Sequence, residues 1–232
     1  MKRQILKNII ALVALFIPYI ASAQCYEIYK DGVKITYNFN EVDSITFIND
    51  ERIEEPIEGK YVDLGLSVKW AKMNIGAKSD TDAGSYFSWA ELETKNLFDP
   101  DKCTTLDLDI KDISGNVKYD AATYNLGDHW RMPTIAELEE LANECSWEWT
   151  TIDGRAGAIV TGPNGNSIFM PAAGYRYGSD VFEDHYRGYY WSSNLDNISV
   201  ALCLKFNDGA MPERQQLFVE SGLTIRPVLV EE

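Results

Sequence analysis

Between Gly174 and Asn194 the chain reads GYRYGSDVFEDHYRGYYWSSN, the densest concentration of side chains able to hold a ligand. Tyr175, Tyr177, Phe182, Tyr186, Tyr189, Tyr190 and Trp191 stand there beside Arg176, Arg187, Asp180, Glu183 and Asp184. Such mixtures hold sugars and polar protein surfaces alike. An aromatic face packs on C–H groups while a neighbouring carboxylate or guanidinium fixes hydroxyl or amide geometry. Trp191, within GYYWSS, reads as core. The stretch from Tyr177 to Arg187 has no helix or strand period and reads as an exposed loop. Its candidate ligand-binding residues are Tyr177, Asp180, Phe182, Glu183, Asp184, Tyr186 and Arg187.

Other chemistries find less support. The sequence has neither a nucleophile elbow nor a glycine-rich phosphate loop. Its two histidines, His129 and His185, are far apart and give a catalytic triad or a zinc site little to work with. Asp184 and His185 are neighbours, and on an extended chain neighbours point opposite ways, so they are expected to form no dyad. Carboxylate pairs of the glycosidase kind arise by chance in a chain with 36 acidic residues and single out no position. Asp99, Asp101, Asp107, Asp109 and Asp112 are the nearest local source of calcium ligands, but they read as a solvated loop. The expectation is therefore a protein that is not an enzyme, with no cofactor and no metal.

The elements that must position the aromatic segment can be read from period and punctuation. Thr134-Ile135-Ala136-Glu137 has capping-box spacing. After it Ile135, Leu138, Leu141, Ala142 and Cys145 fall on one helix face, with Glu137, Glu139, Glu140 and Glu144 turned to water. A shorter helix is expected through DAATYN. The period then changes to two. Ala158–Thr161 and Ile168–Met170 flank Gly162-Pro163-Asn164-Gly165-Asn166 as a hairpin. Val200 to Phe206 alternates before a turn at Asn207-Asp208-Gly209, and Leu223 to Val230 is the final strand. Earlier, Val68, Trp70, Tyr86, Phe87 and Trp89 are the inward residues of a glycine-punctuated strand pair, followed by a long loop from Phe98 to Lys118. Helices followed by short antiparallel strands and long loops make an α+β pattern.

Upstream lies a separate small unit, residues 24–50, in which YEIYKDGVKITYNF turns at Asp31-Gly32 and VDSITF supplies an extra strand. An acidic linker, residues 51–59, joins it to the main domain, residues 60–232. Residues 1–23 have the three-part grammar of an export signal: Lys2, Arg3 and Lys7, then apolar Ile9 to Phe16, then Ala21-Ser22-Ala23. Lipidation at Cys25 is the rival processing route, disfavoured by Gln24 before it. The expected location is secreted, periplasmic or cell-surface, with no membrane insertion once the signal is gone. Net charge is −15, and losing the signal makes it more negative, which argues against a nucleic-acid partner. In an oxidising compartment Cys145 and Cys203 could bridge helix to sheet, or all four cysteines could remain buried thiols.

Three blocks, GLSVKWAKMNIGA (Gly65–Ala77), HWRMPTIAELEEL (His129–Leu141) and GPNGNSIFMPAAGYR (Gly162–Arg176), together with TIRPV (Thr224–Val228), carry a family likeness. In that order and spacing they resemble the Fibrobacter succinogenes major paralogous domain family and related C-type-lectin-like proteins secreted by gut Bacteroidota. The likeness covers Tyr61 to Val228. It implies a C-type-lectin-like domain whose first and last strands pair and whose long loops present a glycan or protein surface ligand. An interaction or structural subunit of a cell-surface assembly is the alternative. Calcium-dependent lectins carry Glu-Pro-Asn or Gln-Pro-Asp and Trp-Asn-Asp; here only Gly162-Pro163-Asn164 and Trp191-Ser192-Ser193-Asn194 resemble them, without the acidic ligand. The formylglycine-generating oxidases share a related fold but need a close cysteine pair, which this sequence does not offer locally.

Intact-mass analysis of secreted protein should show residues 1–23 removed and Cys25 unmodified. A lipidated Cys25 would overturn the soluble reading.

Overall fold

The computed structural model describes residues 25–30, 33–38 and 59–230. The chain divides into two compact units, Met1–Glu51 and Arg52–Glu232. In the first, β1 (Cys25–Lys30) and β2 (Val33–Asn38) form an antiparallel hairpin closed by the Lys30–Val33 pair, as the Asp-Gly turn predicts. The expected strand VDSITF, most of the linker and the export signal lie outside the described residues.

Among its described residues the second unit has two short α-helices and several small antiparallel sheets, an α+β architecture. β3 (Tyr61–Val62), β4 (Trp70–Ala71), β5 (Trp130–Arg131) and β14 (Val228–Leu229) form one sheet in the order β3-β4-β14-β5. The last strand thus lies against one of the first, with Val228 opposite Trp70. A meander follows: β6 (Ser146–Ile152), β7 (Arg155–Thr161) and β8 (Ser167–Pro171). The β6–β7 turn is Asp153-Gly154, both at positive φ, the type I′ geometry that suits a two-residue hairpin. The third sheet holds β11 (Arg187–Asn197), β12 (Val200–Asn207) and β13 (Ala210–Phe218).

Helix α1 (Ala121–Leu126) is capped by Asp120, whose fully buried carboxylate accepts from the backbone N–H of Gly115, Ala122, Thr123 and Met132. Burial raises its pKa, and those four N–H groups pull the other way. Helix α2 (Ile135–Glu144) carries the expected capping box and buries Leu138, Leu141 and Ala142. Glu137, expected to face water, is instead half-buried. Its carboxylate closes the capping box and holds Arg131 at 2.8 Å. Burial opposes ionisation of Glu137, but Arg131 and Thr134 outweigh it and the net shift is downward.

Neighbouring residues of β11 look to opposite faces, so one strand serves two cores. Tyr190 joins Trp70, Leu138, Leu141, Val160, Leu204 and Phe206 beneath α2, while Trp191 joins Phe87, Trp89, Ile113, Cys203 and Ile225. This partition corrects the expected Cys145–Cys203 bridge. Cys145 packs in the first of these clusters and Cys203, on β12, faces the other, and both are free thiols, as is Cys103. Burial pushes the Cys145 thiol up to about 11 and Cys203 higher still.

The expected final strand is also shorter than Leu223–Val230. Leu223 pairs with Phe87 and Thr224 with Tyr190, the Ile225 carbonyl accepts from Ile75, and Pro227 has no N–H to give, leaving only Val228–Leu229 in a ladder. Within this segment the guanidinium of Arg226 is completely buried. Its Nε donates to Asn74 Oδ1 (2.8 Å), Nη1 to the carbonyls of Ala71 (3.1 Å) and Lys72, and Nη2 to that of Phe169 (2.9 Å). Among the described residues, no helix is long and apolar enough to cross a membrane.

Trp70→Ala should destabilise by about 3–5 kcal/mol as a large cavity at full burial. Arg226→Met should cost about the same by stranding Asn74 and three carbonyls, and Arg226→Lys should not rescue it, since an ammonium lacks the planar fork. Denaturant unfolding checks both; a loss under about 1 kcal/mol would contradict the core assignment.

Candidate functional site

The segment expected to be an irregular loop is a β-hairpin with a short turn after it. β9 (Tyr175–Tyr177) and β10 (Asp180–Phe182) pair antiparallel, Tyr175 opposite Phe182 and Tyr177 opposite Asp180. The missed signal is Gly178-Ser179: Gly178 takes φ +61° and Ser179 stays negative, which fits a type II′ turn. Three residues a side are too few for a period of two to register in the sequence.

The hairpin is fixed along its length. At the tip, Gly178 and Phe98 exchange backbone hydrogen bonds of 2.7 and 2.8 Å; lower down, Arg176 and Gly222 exchange bonds of 2.7 and 2.9 Å. The Arg176 guanidinium lies over the rings of Tyr86 and Phe98, 5.6 and 5.7 Å from their centroids. Tyr86 donates its hydroxyl to the Ala173 carbonyl at 2.6 Å, and its pKa is pushed up to about 12, by burial first and then by the charge of Asp184. On the other hairpin face the Tyr175 and Phe182 rings stack at 5.6 Å, and Tyr175 meets Tyr189 edge-on at 5.4 Å. Gly174 is where the chain crosses tightest: φ is +61° and a Cβ there would collide with the backbone of Phe182 to Asp184.

After β10, Glu183 and His185 both adopt positive φ, 59° and 65°, which makes residues 183–186 a turn and not a strand. Asp184 and His185 therefore do not point apart as an extended chain would have them. His185 Nε2 lies 3.8 Å from Asp184 Oδ2, while its Nδ1 accepts from the Ala156 N–H at 3.4 Å. Asp184 forms an ion pair with Arg155, a partner that sequence reading missed. Glu183 pairs with Arg187 and accepts the Tyr189 hydroxyl at 2.7 Å.

The seven expected ligand residues thus divide. Tyr177 (49% exposed), Phe182 (41%), Tyr186 (76%) and Asp180 face solvent. Glu183, Asp184 and Arg187 are engaged in the ion pairs that brace the turn. The asparagines of the two lectin-like triplets also have structural work. Asn164 Nδ2 donates to the Asp63 carbonyl at 2.9 Å, and Asn194 Oδ1 accepts from the first N–H of α2 at 2.7 Å. Among the described residues, no three His, Cys, Asp or Glu side chains gather as metal ligands would. A shallow cleft lined by Val62, Lys72, Asp80, Ile152, Ile159 and Phe169 includes none of the seven. No family model, no curated protein and no solved structure matches the chain.

Three tyrosines around this site, Tyr86, Tyr189 and Tyr190, have phenol pKa values raised, in each case by burial first. The unfolded chain ionises them near the ordinary value of 10.0 and the folded chain does not. Their stabilisation is complete below that pH and lost as pH rises towards the folded values. Urea unfolding at stepped pH, with phenolate absorbance followed in parallel, should show stability falling from about pH 10 upward. Tyr86→Phe should lessen the fall.

Proposed function

We propose that the chain is an exported, non-catalytic binding protein with a C-type-lectin-like main domain, presenting the β9–β10 hairpin to a glycan or protein surface outside the cytoplasm. The family likeness of the three sequence blocks supports this reading, as does the pairing of the last strand with an early one. What carries it is a single observation: Tyr177, Phe182 and Tyr186 expose large aromatic faces on a segment whose backbone is pinned at both Phe98 and Gly222. Rings held open to water on a rigid support lose little freedom when a ligand covers them. Arg187, fastened to Glu183, contributes by holding the turn more than by reaching a ligand.

The second reading, an interaction subunit of a surface assembly, draws on β13. That strand is the outer one of its sheet among the described residues, with Met211 and Phe218 exposed. Co-purification of a stoichiometric partner, lost on Met211→Lys, would favour it.

Screening the mature protein on a glycan array and against extracellular protein extracts should give ligands whose binding falls at least about tenfold in Tyr177→Ala/Tyr186→Ala and is indifferent to a chelator. Binding untouched by the double substitution, or abolished by the chelator, would send the search to the Asp99–Asp112 loop.

A further inference from the structure

The hairpin register narrows the class of ligand. In an antiparallel ribbon, directly opposite residues stand on the same face, their Cβ atoms about 5 Å apart. Tyr177 and Asp180 are such a pair, and alternation puts Tyr175 and Phe182 on that face too, as their stacked rings bear out. The exposed end of the face is therefore an aromatic ring beside a carboxylate.

Neither side chain of this pair has an internal task. Asp180 makes no ion pair or side-chain hydrogen bond with any described residue, and the Tyr177 hydroxyl makes none either. Three arginines in or against the hairpin and its turn are already engaged: Arg187 by Glu183, Arg155 by Asp184, and Arg176 by the rings of Tyr86 and Phe98 on the opposite face of the ribbon. An anionic ligand would have to compete with those partners and would meet the Asp180 carboxylate. A neutral sugar could cover the ring and donate hydroxyls to the carboxylate, but it brings no opposite charge. A cation uses both, sitting on the ring face within about 6 Å of its centre while the carboxylate neutralises it. The net charge of −15 adds attraction at longer range.

The geometry points to the Tyr177–Asp180 end of the hairpin as a receptor for the ammonium or guanidinium group of a basic polypeptide segment. This rests on the reading of the hairpin as the binding surface and names its partner class.

The test titrates the mature protein with a fluorescent peptide alternating glycine with lysine and arginine, and with its acetyl-lysine and citrulline counterpart. Asp180→Asn and Tyr177→Leu should each weaken the basic peptide about tenfold, Tyr177→Phe should keep its affinity, and the uncharged peptide should not bind. Asp107→Asn, which removes the same charge from an exposed position outside the hairpin, should change affinity less than about twofold. Since Tyr177 and Asp180 are exposed, these substitutions leave the fold intact, which circular dichroism would verify. Equal weakening by Asp180→Asn and Asp107→Asn would reduce the effect to long-range attraction and overturn the inference. So would indifference to Tyr177→Leu. If a neutral glycan binds in a manner dependent on Tyr177 while the basic peptide does not, the inference fails and the hairpin remains the binding surface. If neither class depends on Tyr177 or Tyr186, both fall.

Discussion

A guanidinium with no access to water must find every hydrogen-bond partner inside the protein, and Arg226 finds them in two places far from each other and from itself in the sequence. Asn74 and the carbonyls of Ala71 and Lys72 come from the end of β4, and the carbonyl of Phe169 comes from β8. Asn74 also donates to the Ala83 carbonyl and to the Tyr190 hydroxyl, which donates in turn to the carbonyl of Pro171. Among the described residues no carboxylate touches the cation; backbone dipoles and one amide solvate it, and its pKa is lowered by burial. Such a network is stable only when complete, because each member removed strands others in a low dielectric. It therefore fixes how the early strand, the meander and the C-terminal segment must meet, and the two apolar clusters fill in around it.

The same network reaches the hairpin within a few residues. Pro171 accepts from Tyr190, Ala173 accepts from Tyr86, and Gly174 makes the tight crossing that starts β9. Rigidity at the exposed aromatic face is thus inherited from the polar interior through a short covalent path, with Phe98 and Gly222 holding the hairpin laterally.

Much of this fold was legible because local chemistry and period agreed. The capping box of α2, the Asp-Gly and Asn-Gly turns and the alternation of β12 each have a local cause. What escaped is what depends on partners distant along the chain. Glu137 looks like a solvent-facing helix residue until Arg131 is seen beside it, and the β9–β10 hairpin is too short for any period, its register set by Phe98 and Gly222. The Cys145–Cys203 pairing failed because facing is a property of a sheet, not of composition. At the candidate site, aromatic crowding marked the segment, but only the fold separated side chains that brace from those left open. Arg226 was visible as part of TIRPV, yet nothing local marked it as the buried cation.

That separation bears on how such a protein can change over generations. Substitutions at Glu183, Asp184, Arg187 or Arg176 unpick the support, so selection for folding acts on them directly. Tyr177 and Asp180 contribute nothing to that support, and lineages can exchange them at no cost in foldedness. The hairpin therefore sets residues that folding constrains beside a tip that folding leaves free to vary.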